Sequence, residues 1–237
     1  MSSTVKDAPA TGDGRDSRWE DHRQARRDHF LDTAITLIDA EGSGVGVAAM
    51  AQAAEMPRSV VYKLFGDRKD LDEQVRQRIV AEVSAAIWDS LAVTGSIRDL
   101  VRGGAGTYVE WVAAHPNLHR FIGSGSQSAP TTSSRAGRSG KRSFAARVRD
   151  LIEAGWTRGS GGEELPPGVA ENLAYGAVGL VDSVVNRWLA TGAKVTTTGE
   201  LVAFLADAIC GIVEAGARGA GLQVDVDAVM DLGLAPD

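Results

Sequence analysis

The stretch Val47-Ala48-Ala49-Met50-Ala51-Gln52-Ala53-Ala54-Glu55-Met56-Pro57-Arg58-Ser59-Val60-Val61-Tyr62-Lys63-Leu64-Phe65 decides the fold. Two short helices are read in it, about Val47–Ala54 and Pro57–Leu64, joined by only a couple of residues. Met50, Ala51 and Ala54 share one face of the first. Val61, Leu64 and Phe65 face them from the second, and the small alanines allow the close crossing of a helix-turn-helix. Proline at 57 suits the first position of a helix, where a missing N–H is no loss. Arg58, Ser59, Val60, Tyr62 and Lys63 are left to point outward or to flank the packed face. A guanidinium, hydroxyls and a small apolar group are what a DNA major groove accepts, on guanine or phosphate, on phosphate, and on the thymine methyl respectively. Arg68 and Lys69 follow at the start of the next helix, placed for phosphate contacts.

Working outward, the pattern is helix after helix, with no convincing alternating strand. Residues 1–17 are polar and Gly/Asp-rich and read as a disordered arm. From Arg18, the apolar residues Phe30, Ala34, Leu37 and Ile38 fall on one helix face, and Gly42-Ser43-Gly44 ends that helix with a left-handed C-cap. Arg18, Arg23, Arg26 and Arg27 either brush phosphates or form an ordinary solvated face with Glu20, Asp21 and Asp28. Asp67 opens a long helix to about Ala92, with Asp70 three residues on. Its stripe is Leu71, Val75, Ile79, Val83, Ala86 and Ile87, and it spans roughly 39 Å at ~1.5 Å per residue.

Ser96 caps a helix to about Ala114 whose apolar residues surround it. His115-Pro116 breaks it and starts a short helix ending near Gly123. Residues 124–142 are Ser/Gly/Thr-rich and read as a mobile loop, whose Arg135, Arg138, Lys141 and Arg142 either contact DNA or an acidic effector or stay solvated. Helices resume at about Ser143–Arg158, Pro167–Ala190 and Thr198–Arg218. The last two are apolar on more than one face, with Gly176, Gly179, Ala208 and Gly211 interleaved, as a homodimeric four-helix interface requires. The expectation is therefore an all-α chain of about nine helices: a three-helix head over 18–66, and an effector-binding and dimerisation bundle over 67–237.

Composition excludes several classes. The formal net charge is −6. Neither the first 80 residues nor the rest are basic overall, so any DNA contact must come from local arrangement rather than bulk charge. One cysteine, Cys210, rules out a disulfide framework and a paired-cysteine metal site, and reads as a buried inert thiol. No apolar run approaches a membrane span and no signal-peptide core is present, which points to a cytoplasmic protein. His115 and His119 stand at i, i+4, but Pro116 spoils the metal-binding geometry, so structural or capping roles are expected and no metal or cofactor. No enzyme signature is found.

The run Val61-Tyr62-Lys63-Leu64-Phe65-Gly66-Asp67-Arg68-Lys69-Asp70-Leu71 resembles the signature of the tetracycline-repressor (TetR) family: an aromatic Tyr-x-x-Phe, a short spacer, a basic residue, then Leu. The resemblance covers about Arg26 to Leu71. It implies that Tyr62 and Arg68 contact backbone phosphates and that the helix around Ser59 to Lys63 reads bases. It also implies a C-terminal domain that binds an effector and dimerises through its last two long helices. Three positions depart from the family pattern: Val45 and Gly46 stand where threonines are usual, Glu55 replaces the turn glycine, and Pro57 replaces a serine.

An effector pocket should be mostly apolar, with a few polar groups to orient the ligand. The C-terminal region supplies Trp88, Tyr108, Trp111, Phe121, Trp156 and Tyr175 as candidate walls, with Asn172, Asp182 and Asn186 as candidate polar groups. The expected function is a ligand-responsive homodimeric repressor, released from a palindromic double-stranded DNA operator by a small hydrophobic effector. The rival is a helical enzyme or protein-interaction module with a vestigial helix-turn-helix.

Overall fold

The computed structural model describes residues 13–91, 94–123, 134–159, 162, 164–191 and 195–231. Nine helices lie among the described residues, with one two-residue strand pair, so the all-α expectation is borne out. The pair, Thr94–Gly95 against Met230–Asp231 in antiparallel register, was not legible as alternation because two residues carry no period.

Helix α1 (Asp13–Glu41) begins inside the stretch read as an arm: residues 13–17 are helical, and 1–12 lie outside the described residues. No proline or glycine stands between Arg15 and Glu41, and extending an established helix costs far less than starting one. Phe30, Leu31, Ala34 and Ile38 bury its inner stripe. Gly42, at φ +87°, returns its N–H to the Ile38 carbonyl at 2.8 Å and ends the helix as expected.

Helices α2 (Val47–Ala53) and α3 (Arg58–Phe65) form the helix pair. Pro57 precedes α3 as its N-cap rather than entering it. Helix α4 (Arg68–Asp89) is capped by the Asp67 side chain, which accepts from the Asp70 N–H at 2.8 Å. It is shorter than the stripe suggested, and Ala92 lies outside the described residues. Helix α5 (Ile97–Ala114) starts on a full Ser96/Asp99 capping box. Helix α6 (Pro116–Gly123) follows the break at His115.

Helix α7 (Arg135–Gly159) corrects the reading of residues 124–142 as one mobile loop: 134–142 are ordered and mostly helical, while 124–133 lie outside the described residues. Tertiary contacts fix this start. The buried Ser134 hydroxyl donates to the Ile122 carbonyl at 2.6 Å and accepts from the Gly137 N–H at 2.9 Å. Gly140 lets α7 press on α4, since a Cβ there would overlap Val80 Cγ1. Helices α8 (Val169–Thr191) and α9 (Thr198–Gly219) complete the bundle, the second on a Thr197/Glu200 capping box.

Two cores result. One joins α1, α2 and α3 to α4 and takes in Leu118 and Phe121 of α6. The other packs α5 against α8 and α9 around Val109, Val112, Val185, Trp188 and Leu205. Helices α4 and α6 thus belong to the head while reaching the bundle.

Candidate nucleic-acid interface and ligand cavity

In the head, α2 buries Val47, Met50 and Ala51, and α3 buries Val61 and Phe65. Phe65 packs on Phe30 with ring centroids 5.2 Å apart. Arg27 Nη1 donates to the Leu64 carbonyl at 2.8 Å, and its guanidinium lies 5.0 Å from the Phe65 ring centroid. This arginine therefore clamps the end of α3 to α1, a use that a solvated charged face did not suggest.

Packing on one side leaves the other side of α3 open. Arg58, Ser59, Tyr62 and Lys63 are exposed, Tyr62 by 42%, and Val60 is half-buried at their edge. Lys69 is exposed one turn on, beside the start of α4. Arg68, expected on phosphate, has its Nε engaged by Asp72 at 2.8 Å. Burial raises the Asp72 carboxyl, and the cations of Arg68 and Arg76 pull it back.

The three departures have structural consequences. Gly46 and Pro57 are the N-caps of α2 and α3, and neither offers a side-chain cap. Glu55 takes the turn at φ +50°, the one non-glycine at positive φ among the described residues. An L-residue there is strained by roughly 1–2 kcal/mol.

In the second half, five helices and the end of α6 enclose a cavity of about 430 Å³, within the range of ordinary small-molecule sites. Apolar side chains such as Val83, Ile87, Leu100, Phe144, Val178 and Val181 form most of its wall. Polar groups gather in one cluster. Tyr108 Oη lies 3.1 Å from His119 Nε2, Lys141 Nζ lies 2.6 Å from Asp182 Oδ2, and Asn186 Nδ2 donates to Asp182 Oδ1 at 3.1 Å. Burial pushes the Tyr108 phenol well above its ordinary value and holds the His119 imidazole below its own. Trp88 also lines the cavity, with its Nε1 buried and without a hydrogen-bond partner among the described residues.

Of the residues expected at the pocket, Trp88, Tyr108, Trp111, Asp182 and Asn186 line it. Four do not. Phe121 is 2% exposed in the core of the head, under the Arg76 guanidinium. Trp156 lies far along α7, beyond the cavity lining. Asn172 and Tyr175 point away from the bundle, both exposed. A helix that is apolar on two faces hides which face is the inner one, and that accounts for these misses.

His119 was not anticipated at the cavity, and Lys141 was expected on a loop that contacts DNA, an acidic effector or solvent alone. For α7 the signal existed, because Gly137, Lys141, Phe144, Val148, Leu151 and Ile152 recur at helical spacing. The Ser/Gly-rich composition obscured its start. His115 takes the structural role expected of it, with Nδ1 2.6 Å from Asp39 Oδ2 of α1. No group of three potential metal ligands occurs among the described residues, and none of their helices is long and apolar enough to cross a membrane.

No family model matches the chain. It is 28% identical over 227 residues to an uncharacterized HTH-type transcriptional regulator of Mycobacterium tuberculosis, with 91% of each chain covered. Its fold matches the crystal structure of a TetR-family transcriptional regulator from Streptomyces coelicolor at a TM-score of 0.65 and 19% identity, covering 84% of this chain and 86% of that one. A TetR-family regulator structure from Syntrophomonas wolfei matches at 0.60 and 14% identity, covering 80% and 95%. The resemblance carried by Tyr62, Phe65, Arg68 and Leu71 is thus borne out: the chain has the TetR-family fold.

Proposed function

We propose that this protein is a DNA-binding transcriptional regulator that works as a homodimer in the cytoplasm. In this reading it is a repressor, released from a palindromic operator when a small hydrophobic molecule enters the bundle cavity. Arg58, Ser59, Val60 and Lys63 meet base edges, and Tyr62, Arg68 and Lys69 hold phosphates.

The observation that carries the reading is the position of α6. Leu118 and Phe121 lie in the core of the head, whereas His119 and Ile122 line the cavity. One eight-residue helix therefore touches both the reading element's support and the ligand's space. Its ends are tied to the head as well: His115 and Asn117 hold Asp39 of α1, and Arg76 of α4 holds the Phe121 carbonyl. A ligand that displaces His119 or Ile122 must move α6, and with it α1 and α4. That shift alters the spacing of two heads, which must be near ~34–36 Å to enter successive major grooves. A coupling of ~1–3 kcal/mol already changes operator affinity by roughly 5- to 150-fold.

The dimer is supported by the outer faces of α8 and α9. Tyr175 and Phe204 are exposed by 45% and 54%, and Gly176, Gly179 and Gly211 have open space where a Cβ would stand. Small residues beside exposed aromatics suit a close four-helix interface between two copies.

The test is selection of bound sequences from a random duplex pool by the purified full chain at physiological salt. Enrichment of a palindrome is expected. An intact dimer that enriches nothing would overturn the reading.

A further inference from the structure

We infer that the bundle cavity takes an uncharged apolar molecule bearing a hydroxyl or carbonyl group, seated against the Tyr108–His119 pair, and that it rejects carboxylates and amines of the same size. The inference rests on the effector reading above and narrows its chemistry.

The argument starts from charge balance. Among the described residues the only full charges lining the cavity are Lys141 and Asp182, and these are paired with each other at 2.6 Å. Asn186 satisfies a further carboxylate lone pair on Asp182 at 3.1 Å. Lys141 and Asp182 are 46% and 28% exposed, while His119 is 8% exposed. The ion pair thus keeps more contact with water than His119, which is buried, while Tyr108 is half-buried beside it. Burial also keeps both of those groups in their neutral forms at neutral pH.

An incoming carboxylate would shed its water and find no unmatched cation. To reach Lys141 it must strip that ammonium from Asp182 and leave a second carboxylate unpaired. An amine faces the mirror problem, competing with Lys141 for Asp182. Burying an unmatched charge costs far more than burying a neutral group that forms a hydrogen bond.

The Tyr108–His119 pair suits such a neutral group in either tautomer. If Nε2 is the bare nitrogen, Tyr108 donates to it and its oxygen still accepts from a ligand hydroxyl. If Nε2 carries the proton, it donates to Tyr108 Oη, whose own O–H is then free to donate to a ligand carbonyl. Apart from the Ser84 hydroxyl and the Trp88 Nε1, the rest of the described cavity wall is aliphatic and aromatic, so most of the remainder of the ligand is hydrocarbon.

The experiment uses the full chain and four chain-matched probes at neutral pH: decan-1-ol, decan-2-one, decanoate and decylamine. Binding is read by the fluorescence of Trp88 and Trp111, which line the cavity, and by calorimetry. At least one neutral probe is expected to bind about tenfold or more tighter than either charged one. Tyr108→Phe should weaken that probe by about fivefold with the circular dichroism unchanged. Asp182→Asn, which leaves Lys141 unmatched, should strengthen decanoate by about tenfold relative to decan-1-ol.

Decanoate or decylamine matching the neutral probes in the wild-type chain would overturn the inference and leave the effector cavity standing. So would an Asp182→Asn variant with unchanged relative affinities. Failure of all four probes to bind saturably would overturn both the inference and the effector reading.

Discussion

Arg76 Nε donates to the carbonyl oxygen of Phe121 at 3.0 Å, and the same guanidinium lies 4.5 Å from the centroid of the Phe121 ring. The arginine is 5% exposed, and its Nη1 lies 3.7 Å from Glu73 Oε2. It thereby fixes α6 to α4 at the point where the head meets the bundle. Arg76→Met keeps the aliphatic stem but removes this hydrogen bond to the carbonyl and the guanidinium beside Glu73. A loss of about 2–4 kcal/mol is expected, seen as a lower urea midpoint at constant m-value. An unchanged midpoint would show that this junction contributes no stability.

Glu55 holds the helix-turn-helix turn at φ +50°. Glu55→Gly should relieve about 1 kcal/mol of backbone strain and raise Tm by about 2–4 °C for a chain of this size. It also removes an acid next to the proposed DNA face, so operator affinity should rise, most at low salt. Glu55→Gln separates the two effects, because it loses the charge and keeps the strain. A Gln variant as heat-stable as the Gly variant would refute the backbone explanation.

The exposed residues of α3 and the start of α4 should divide by role. Tyr62→Phe and Arg68→Ala are expected to weaken binding to every duplex, with Arg68→Ala lowering the salt slope by about one. Changes at Ser59, Val60 or Lys63 should instead alter which sequence is preferred. Because Arg68 also pairs with Asp72, its variant needs a stability control by thermal melting. Equal loss of sequence preference from both groups would refute the division between phosphate and base contacts.

Burial depresses His119 below the ordinary imidazole value of 6.5, opposed by Asp182 and assisted by Lys141 and Arg120. Below pH 6.5 the unfolded chain takes up a proton that the folded chain refuses. The stability His119 contributes is therefore complete above that pH and declines as pH falls toward the depressed folded value. His119→Gln should show a smaller fall in Tm over the same acid range than the wild type. Identical pH profiles for the two proteins would contradict a neutral buried imidazole at this position.

The local features of the head were readable because they depend on neighbours in sequence. The Phe30–Ile38 stripe, the Gly42 stop, the Asp67 cap and the outward set on α3 all follow from helical period and capping chemistry, as does the Ser96 cap in the bundle. The start of α7 was not readable. Its Ser/Gly-rich beginning has weak helix propensity, and it is held by Ser134 on the Ile122 carbonyl and by the fit of Gly140 against Val80. Arg27 was ambiguous for the same kind of reason: its partner, the Leu64 carbonyl, lies 37 residues away.

The sequence by itself determined the all-helical class, the helix-turn-helix and the side of α3 that faces outward, since period and caps act within one or two turns of chain. Only the tertiary structure decided which bundle residues share a cavity. It turned Phe121 into the head's core, sent Asn172 and Tyr175 to the surface, and brought Tyr108, His119, Lys141 and Asp182 together from four helices. The physical reason is that a helix with apolar residues on two faces has two candidate inner sides. The choice between them is made by the shapes of the helices packed against it, which no local pattern records.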